Sequence, residues 1–154
     1  MLLTGFICMN ITLTTKVNGH YLEVMKRFDR SLFEALLPPV GKTEIVEFTG
    51  SRTGDKVHLR FVTPFKAEWI SDITSHGENE KEAWFIDEGR ILPFGLKYWK
   101  HNHIVRRVDD HTSEIIDDIT FKASNSFLTL AMYPGLLISF LPRKPIYKKY
   151  FKSI

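Results

Sequence analysis

Hydrophobic and polar positions alternate with two different periods in the first part of the chain. Between residues 10 and 17 the period is two, which predicts a first strand that ends at Asn18. The period then becomes helical, and Asp29 is placed to cap a second short helix that stops before Pro38. The apolar positions of these two helices are Tyr21, Leu22, Met25, Phe28, Leu32, Phe33, Leu36 and Leu37.

The period of two returns at residue 43 and continues to residue 123. Turn residues divide this stretch, and the polar segment 75–79 is predicted to be a loop. The longest strands are predicted at 96–108 and 112–123. Connections this short permit only antiparallel pairing, because a parallel pair needs a crossover. The pattern therefore predicts an α+β fold with seven strands in a curved antiparallel sheet, and we interpret residues 1–154 as one domain.

Such a sheet needs an apolar element on its concave face, and the C-terminal region supplies the candidate. Residues 123–142 carry no charge over twenty positions, which is also the length of a membrane span. Pro134 and Gly135 interrupt the stretch, and hydroxyl and amide side chains dilute it. We therefore expect a buried helix that is broken near Pro134, rather than a transmembrane helix.

Composition narrows the class of protein. Apolar residues make up 44% of the chain and charged residues 25%, as in a folded globular protein. Twenty residues are aromatic, enough for a broad core or the wall of a pocket. The lone cysteine, Cys8, excludes an internal disulfide, and the N-terminus has no basic region of a signal peptide. We expect a cytoplasmic location, with either Met1 or Met9 as the start.

The net charge of +3 conceals an asymmetry. Residues 119–154 contain six of the 21 cations and none of the 18 acidic residues. This basic tail is explained most simply as a solvated helix face. Alternatives are an acidic partner or an anionic membrane surface, and charge alone predicts only weak membrane contact at physiological salt. No motif for nucleic-acid recognition accompanies the cations, so no nucleic-acid partner is expected.

The last predicted hairpin carries the candidate chemistry. A turn through residues 109–111 would pair Val108 with Thr112 and place His103 opposite Asp117. This register aligns two apolar-rich faces, whereas a slip of one residue would separate them. The facing positions are Val105 and Ile115, His103 and Asp117, His101 and Ile119, and Trp99 and Phe121.

A histidine opposite an aspartate favours a charge-assisted contact. His103 and Asp117 could serve only the structure of a pocket wall, or they could form a catalytic or ligand-orienting pair. A metal site is disfavoured because the other histidines are scattered, and no metal or cofactor is expected. The candidate ligand-binding residues are Trp69, Phe85, Trp99, His101, His103, Asp117 and Phe121.

Several of these motifs resemble the ligand-binding SRPBCC proteins of the START-like, helix-grip superfamily. The similarity is carried by Trp84-Phe85-Ile86-Asp87-Glu88, by Pro93-Phe94, by Trp99-x-His101-x-His103 and by Ile115-x-Asp117-x-Ile119-x-Phe121. It extends to the basic, aromatic end at residues 143–151 and covers nearly the whole chain. The resemblance implies a sheet that grips a C-terminal helix with a cavity between them.

Two functions follow from these observations. The first is a non-enzymatic carrier or sensor that binds a small apolar molecule in the cavity. The alternative is an enzyme similar to polyketide cyclases and dehydratases, with His103 and Asp117 as general acid and base. The sequence favours the first, and it indicates neither the ligand nor the oligomeric state.

Overall fold

The computed structural model describes residues 7–154, which form seven strands and four helices. Met1 lies outside the described residues, and Met9 opens the first strand. The elements in chain order are β1 (Met9–Asn18), α1 (Tyr21–Lys26), α2 (Arg30–Ala35), β2 (Lys42–Phe48), β3 (Lys56–Thr63), β4 (Ala67–Glu78), β5 (Glu82–Ile91), β6 (Leu96–Arg107), β7 (Thr112–Ala123), α3 (Ser126–Phe140) and α4 (Arg143–Tyr150).

All seven strands form one antiparallel sheet in the order β1-β7-β6-β5-β4-β3-β2. Strands β2 to β7 follow one another as hairpins, and β1 lies beside the last of them, β7. The predicted α+β architecture is confirmed. Alternate side chains are buried on one face of β1, β6 and β7, as the period of two predicts.

The predicted loop at residues 75–79 is wrong, because β4 continues to Glu78. His76 and Gly77 pair with Phe85 and Trp84 of β5, so the polar residues belong to a long hairpin. The indole of Trp84 covers Gly77 so closely that a Cβ at this position would lie 2.6 Å from the ring. The actual turn is at residues 79–81, where the Asn79 side chain accepts hydrogen bonds from the next backbone amides.

Helices α1 and α2 form where the helical period predicts them. Asp29 caps α2 as expected, because its carboxylate accepts a hydrogen bond from the Leu32 amide at 3.0 Å. These helices pack with α4 in one hydrophobic core, and a second core lies under α3. The buried residues of the first core include Tyr21, Val24, Phe28, Leu32, Phe85, Val105, Ile115, Tyr147 and Phe151. Those of the second are Ile11, Leu13, Leu96, Trp99, Ile119 and Phe121.

The prediction for the C-terminal helix is wrong in two respects. Helix α3 runs unbroken through Pro134, and Thr129 is its only buried residue. Proline has no N–H, so the Leu130 carbonyl has no donor from Pro134 within the helix. Both residues lie on the exposed side, where this carbonyl can bond to water. The Asn125 side chain caps the helix by accepting from the Leu128 amide at 2.8 Å. Among the described residues, no helix has both the length and the apolar character needed to cross a membrane.

Candidate ligand-binding site

Strands β6 and β7 bring the candidate residues together in the register predicted from the sequence. His103 faces Asp117, His101 faces Ile119 and Trp99 faces Phe121. The turn fixes this register, because the Val108 amide donates to the Thr112 carbonyl at 3.0 Å. Both histidines and the aspartate are buried on the inner side of the sheet.

The predicted cross-strand pair of His103 and Asp117 forms, but the hydrogen bond to the carboxylate comes from His101. The His101 Nε2 atom lies 2.9 Å from Asp117 Oδ1, whereas His103 Nδ1 is 3.9 Å from the same oxygen. The His103 ring is instead stacked between Phe85, at a centroid distance of 4.2 Å, and His101, at 3.6 Å. Stacking keeps the His103 nitrogens out of hydrogen-bond distance of Asp117. His101, the diagonal neighbour of Asp117 on β6, reaches the carboxylate instead.

Helix α4 completes the surroundings of Asp117. Arg143 Nη1 and the Tyr147 hydroxyl both donate to Asp117 Oδ1 at 3.3 Å. Burial alone would raise the pKa of Asp117, but the hydrogen bond from His101 and the charge of Arg143 outweigh it and hold this pKa well below its ordinary value. The carboxylate is therefore ionised at neutral pH, and the His101 nitrogen that faces it carries the proton.

A second carboxylate, Asp87 on β5, lies on the other side of the histidine stack. Its Oδ2 atom is 3.7 Å from His103 Nε2. Within residues 7–154, neither Asp87 Oδ1 nor His103 Nδ1 has a hydrogen-bond partner, although both atoms are buried. Burial, and after it the neighbouring imidazole of His101, lower the pKa of His103 to about 4, so the His103 imidazole is neutral at pH 7.

A cavity of about 270 Å³ lies between the concave face of the sheet and α3. Its walls are mostly apolar, and Asp87, His101 and Arg143 supply the ionisable groups. The lining residues are Phe33, Leu36, Leu37, Pro38, Val57, Leu59, Phe61, Trp69, Ser71, Asp87, Phe94, Leu96, Trp99, His101, Met132, Leu136, Ser139, Phe140 and Arg143. A neighbouring void of about 30 Å³ shares Asp87 and Arg143 with it.

The candidate residues divide into three groups around this cavity. Trp69, Trp99 and His101 line it. Phe85 and His103 line the smaller void instead. Asp117 and Phe121 line neither space and lie buried behind the wall.

Comparisons with known proteins bear on the fold. No family model matches the sequence, and no curated protein matches it. Among solved structures, norcoclaurine synthase from Thalictrum flavum superposes with a TM-score of 0.70 over 97% of this chain and 89% of its own, at 16% identity. The Zhui aromatase/cyclase from Streptomyces sp. R1128 does so with a TM-score of 0.60 over 92% and 88%, at 13% identity. The chain has an SRPBCC-type, helix-grip fold.

Two further structures match the SRPBCC-type fold of this chain. The protein XoxI from Bacillus cereus gives a TM-score of 0.62 at 15% identity, covering 94% of this chain and 96% of its own. Norcoclaurine synthase from Thalictrum flavum in complex with dopamine and hydroxybenzaldehyde gives 0.62 at 17% identity, over 100% and 97%. At these identities the likeness concerns the fold.

Within this SRPBCC-type fold, sequence reasoning missed three polar residues of the site. Asp87 follows Phe85 by two positions and so shares its face of β5, a signal that the alternation contained. Arg143 and Tyr147 were assigned to the solvated tail and the final helical turn. Their spacing of four places them on one face of α4, but only the folded chain shows that this face meets Asp117.

Among residues 7–154, Asp87, His101 and His103 form a group that could hold a metal ion. They offer one ligand atom each within 4.8 Å of one another. The two imidazoles, however, stack on each other at a centroid distance of 3.6 Å, and His101 Nε2 is already bonded to Asp117. The buried charge of Arg143 also interacts with Asp87 and opposes a second cation there. The arrangement suits proton handling and the binding of a polar group better than metal coordination.

Proposed function

We propose that this chain is a cytoplasmic, single-domain carrier or sensor that binds a small, mostly apolar molecule in the cavity between the sheet and α3. The observation that carries the proposal is the cavity itself, with apolar walls and three ionisable side chains. Its volume of about 270 Å³ lies near the lower limit of ligand pockets, which is roughly 300 Å³. In this proposal Trp69, Trp99 and His101 contact the ligand.

The polar groups indicate one feature of the ligand. Asp87 Oδ1 has no hydrogen-bond partner in the part of the chain that the structure describes, and a buried carboxylate oxygen is stabilised by any donor that reaches it. Arg143, whose guanidinium lies 4.3 Å from the centre of the Phe140 ring, supplies donors in the same cavity. A ligand that both donates and accepts hydrogen bonds at one end, such as a hydroxyl beside a carbonyl, matches this pair.

The structural neighbours support a small ligand. Norcoclaurine synthase has been solved with dopamine and hydroxybenzaldehyde, which are small aromatic molecules with polar groups. A cavity with aromatic walls and a few polar groups has the composition that binds such compounds.

The proposal is tested by filling the cavity. Leu136 lines it from α3, whereas Ile138 lies on the opposite, exposed side of the same helix. We expect Leu136→Trp to weaken binding of a fluorescent fatty acid at least tenfold, and the matched control Ile138→Trp to bind like the unaltered protein. Circular dichroism checks that both variants fold. If the unaltered protein shows no saturable binding of the fatty acid or of other apolar probes, the carrier proposal is wrong.

Native mass spectrometry of protein purified from its own host identifies the ligand. A retained small molecule released by denaturation gives its mass and hence its chemistry. We expect it to be absent from Leu136→Trp prepared in the same way. A molecule retained equally by both proteins is bound outside the cavity.

A second candidate function is acid–base catalysis on the bound molecule. The observation that favours it is the fixed orientation of His101, whose Nε2–H donates a hydrogen bond to buried Asp117 Oδ1 while its ring lines the cavity. An aspartate that fixes the orientation of a histidine is a recurrent arrangement for a general base. The catalytic pair would then be His101 and Asp117, with Asp87 as the second acid or base, and not His103 with Asp117.

The two functions separate in one experiment on His101. If the chain is an enzyme, His101→Gln keeps most of the affinity for the retained molecule but loses its conversion to product. If the chain is a carrier, incubation with the unaltered protein leaves the molecule unchanged. Product analysis by mass spectrometry distinguishes these outcomes.

A further inference from the structure

Helix α3 is apolar around its whole circumference. Successive residues of a helix are rotated by about 100°, so positions 127, 130, 134, 138 and 141 share one side. That side carries Phe127, Leu130, Pro134, Ile138 and Leu141. The opposite side carries Met132, Leu136 and Phe140, which line the cavity. A helix that is hydrophobic all round is normally covered on all sides.

Here only one side of α3 is covered. Phe127 is 82% exposed and Ile138 is 66% exposed, with Leu130 and Leu141 also exposed between and beyond them. Nothing within residues 7–154 covers this outer face. Fifteen residues of helix extend over about 22 Å, so the outer face is a continuous apolar strip rather than a single exposed side chain.

Three loops carry further exposed apolar side chains. Phe94 lies beside the start of α3, because the Gly95 carbonyl accepts from the Ser124 amide, and its ring packs on Phe61. Phe65 is 70% exposed in the turn after β3, and Val40 is 79% exposed in the loop before β2. These two loops meet where Gly41 approaches the Thr63 carbonyl. We call the outer face of α3 with Val40, Phe65 and Phe94 the apolar rim.

The charges that follow α3 in the sequence are all positive. Helix α3 carries none, and residues 119–154 contain six cations and no acidic residue. Lys144 follows Leu141 by less than one turn, and Lys148 and Lys149 are exposed on α4. Arg143 is excluded from this surface, because it is buried against Asp117. The loops of the rim add Lys66. The acids that follow these loops are paired: Glu44 with Lys42, and Glu68 with His58 and Arg60.

We propose that the apolar rim docks on the surface of a membrane that contains anionic lipids. Phenylalanine and leucine side chains would enter the boundary between headgroups and acyl chains, while lysines contact the headgroups. Physiological salt screens the attraction between the lysines and anionic lipids. Burial of the apolar strip contributes to membrane binding without being screened by salt. The contact places the helix that closes the cavity directly against the lipid.

A second copy of the chain fits the apolar rim less well. A symmetric dimer buries the same patch on both subunits. It would bring two basic segments together without an acidic residue from residues 119–154 to balance them. An anionic surface offers the opposite charge, which is why the proposal commits to lipid.

Sedimentation with vesicles tests this proposal. The full chain is mixed with vesicles of phosphatidylcholine and phosphatidylglycerol at physiological salt, where the Debye length is about 8 Å. We expect the unaltered protein to sediment with these vesicles, and less with phosphatidylcholine alone. Because both side chains are exposed, Phe127→Ser with Ile138→Ser should leave the fold intact and reduce vesicle binding at least tenfold.

A matched control uses an exposed apolar residue away from the rim. Val108 is exposed in the hairpin between β6 and β7, and Val108→Ser should bind vesicles like the unaltered protein. Lys148→Gln with Lys149→Gln should weaken binding to the mixed vesicles but not to phosphatidylcholine alone. Equal sedimentation of the double serine variant, or no sedimentation of the unaltered protein, contradicts the proposal. A dimer of the unaltered protein in sedimentation equilibrium would also overturn the proposal, if the double serine variant is monomeric and vesicles do not dissociate the dimer.

Discussion

At the scale of single residues, one carboxylate oxygen organises the site. Asp117 Oδ1 accepts from His101, Arg143 and Tyr147, which come from β6 and from α4. A buried ion pair contributes little net stability unless its remaining donors and acceptors are satisfied. Here Arg143 is held by Asp117 at one side and by the Phe140 ring at another. The polar cluster is therefore coupled, and removing single members is expected to be costly.

The geometry predicts that Asp117 is coupled more strongly to His101 than to His103. Asp117→Ala would leave Arg143 buried without its counter-ion, a loss of about 3–5 kcal/mol in the free energy of unfolding. In a double-mutant cycle with His101→Ala, the interaction energy should lie in the range of about 0.5–3 kcal/mol that residues in contact show. The cycle with His103→Ala should give a smaller value, and urea unfolding measures both. An equal or larger coupling to His103 would mean that His101 does not bind Asp117.

His103 makes stability depend on pH. Its pKa is about 4 in the folded chain and about 6.5 when unfolded, so the unfolded state binds more protons between these values. Stability is then fully present above pH 6.5 and decreases as the pH falls to 4, by about 3 kcal/mol at most. The lowered pKa of Asp117 acts in the same direction, but only below about pH 4.

Urea unfolding between pH 7 and pH 4.5 checks this dependence. His103→Gln should lose most of the decrease over that interval, whereas His111→Gln, at an exposed position of the last turn, should keep it. If His103→Gln retains the full decrease, another group titrates in this interval, and the assignment to His103 is wrong.

At the scale of elements, the sequence predicted best where one face of an element is buried and the other exposed. The strands β6 and β7 have this pattern, and both their bounds and their register follow from it. The prediction of a loop at 75–79 was wrong because the end of a hairpin that extends beyond the core has no apolar face, so its strands lack the alternating pattern. The prediction for helix α3 was wrong because apolar residues lie on both sides of this helix. The pattern therefore does not indicate which side faces the core and which is exposed.

The position of Pro134 inside α3 predicts a helix that can be stabilised by one substitution. Proline is about 3 kcal/mol less favourable than alanine in a helix interior. Replacing it by alanine also makes the unfolded chain more flexible, which reduces the gain in stability by about 0.4–1 kcal/mol. Pro134→Ala should therefore raise the free energy of unfolding by about 2 kcal/mol, as measured by urea unfolding.

The control for this substitution is Pro145→Ala. Pro145 lies in the first turn of α4, where the amide has no acceptor within the helix, so its replacement should change stability little. Equal stabilisation by both substitutions would contradict the assignment to the interior of α3, because the greater flexibility of the unfolded chain destabilises both variants. An unchanged stability of Pro134→Ala would show that α3 already accommodates the proline without loss.

At the scale of the whole molecule, the candidate site joins residues that are far apart in the sequence. Asp87 comes from β5, His101 from β6, Asp117 from β7 and Arg143 from α4. The hairpin partners were predictable because neighbouring strands are close in sequence. The approach of α4 was not, because it depends on how α3 crosses the sheet. The basic tail thus contains one cation that belongs to the site and several that remain at the surface.

The cavity and the exposed outer face of α3 lie on opposite sides of this helix, and this predicts that ligand transfer between membranes needs both. The probe is a fluorescent fatty acid that moves from donor vesicles to acceptor vesicles of phosphatidylcholine and phosphatidylglycerol. The unaltered protein should accelerate this transfer, and Leu136→Trp should not, because it cannot hold the probe.

Phe127→Ser with Ile138→Ser should bind the probe in solution with unchanged affinity, yet transfer it at least about tenfold more slowly, since its contact with the bilayer is lost. Val108→Ser should behave like the unaltered protein in both assays. Unchanged transfer by the double serine variant would show that the ligand reaches the cavity from water, and α3 would then close the cavity without guiding lipid exchange.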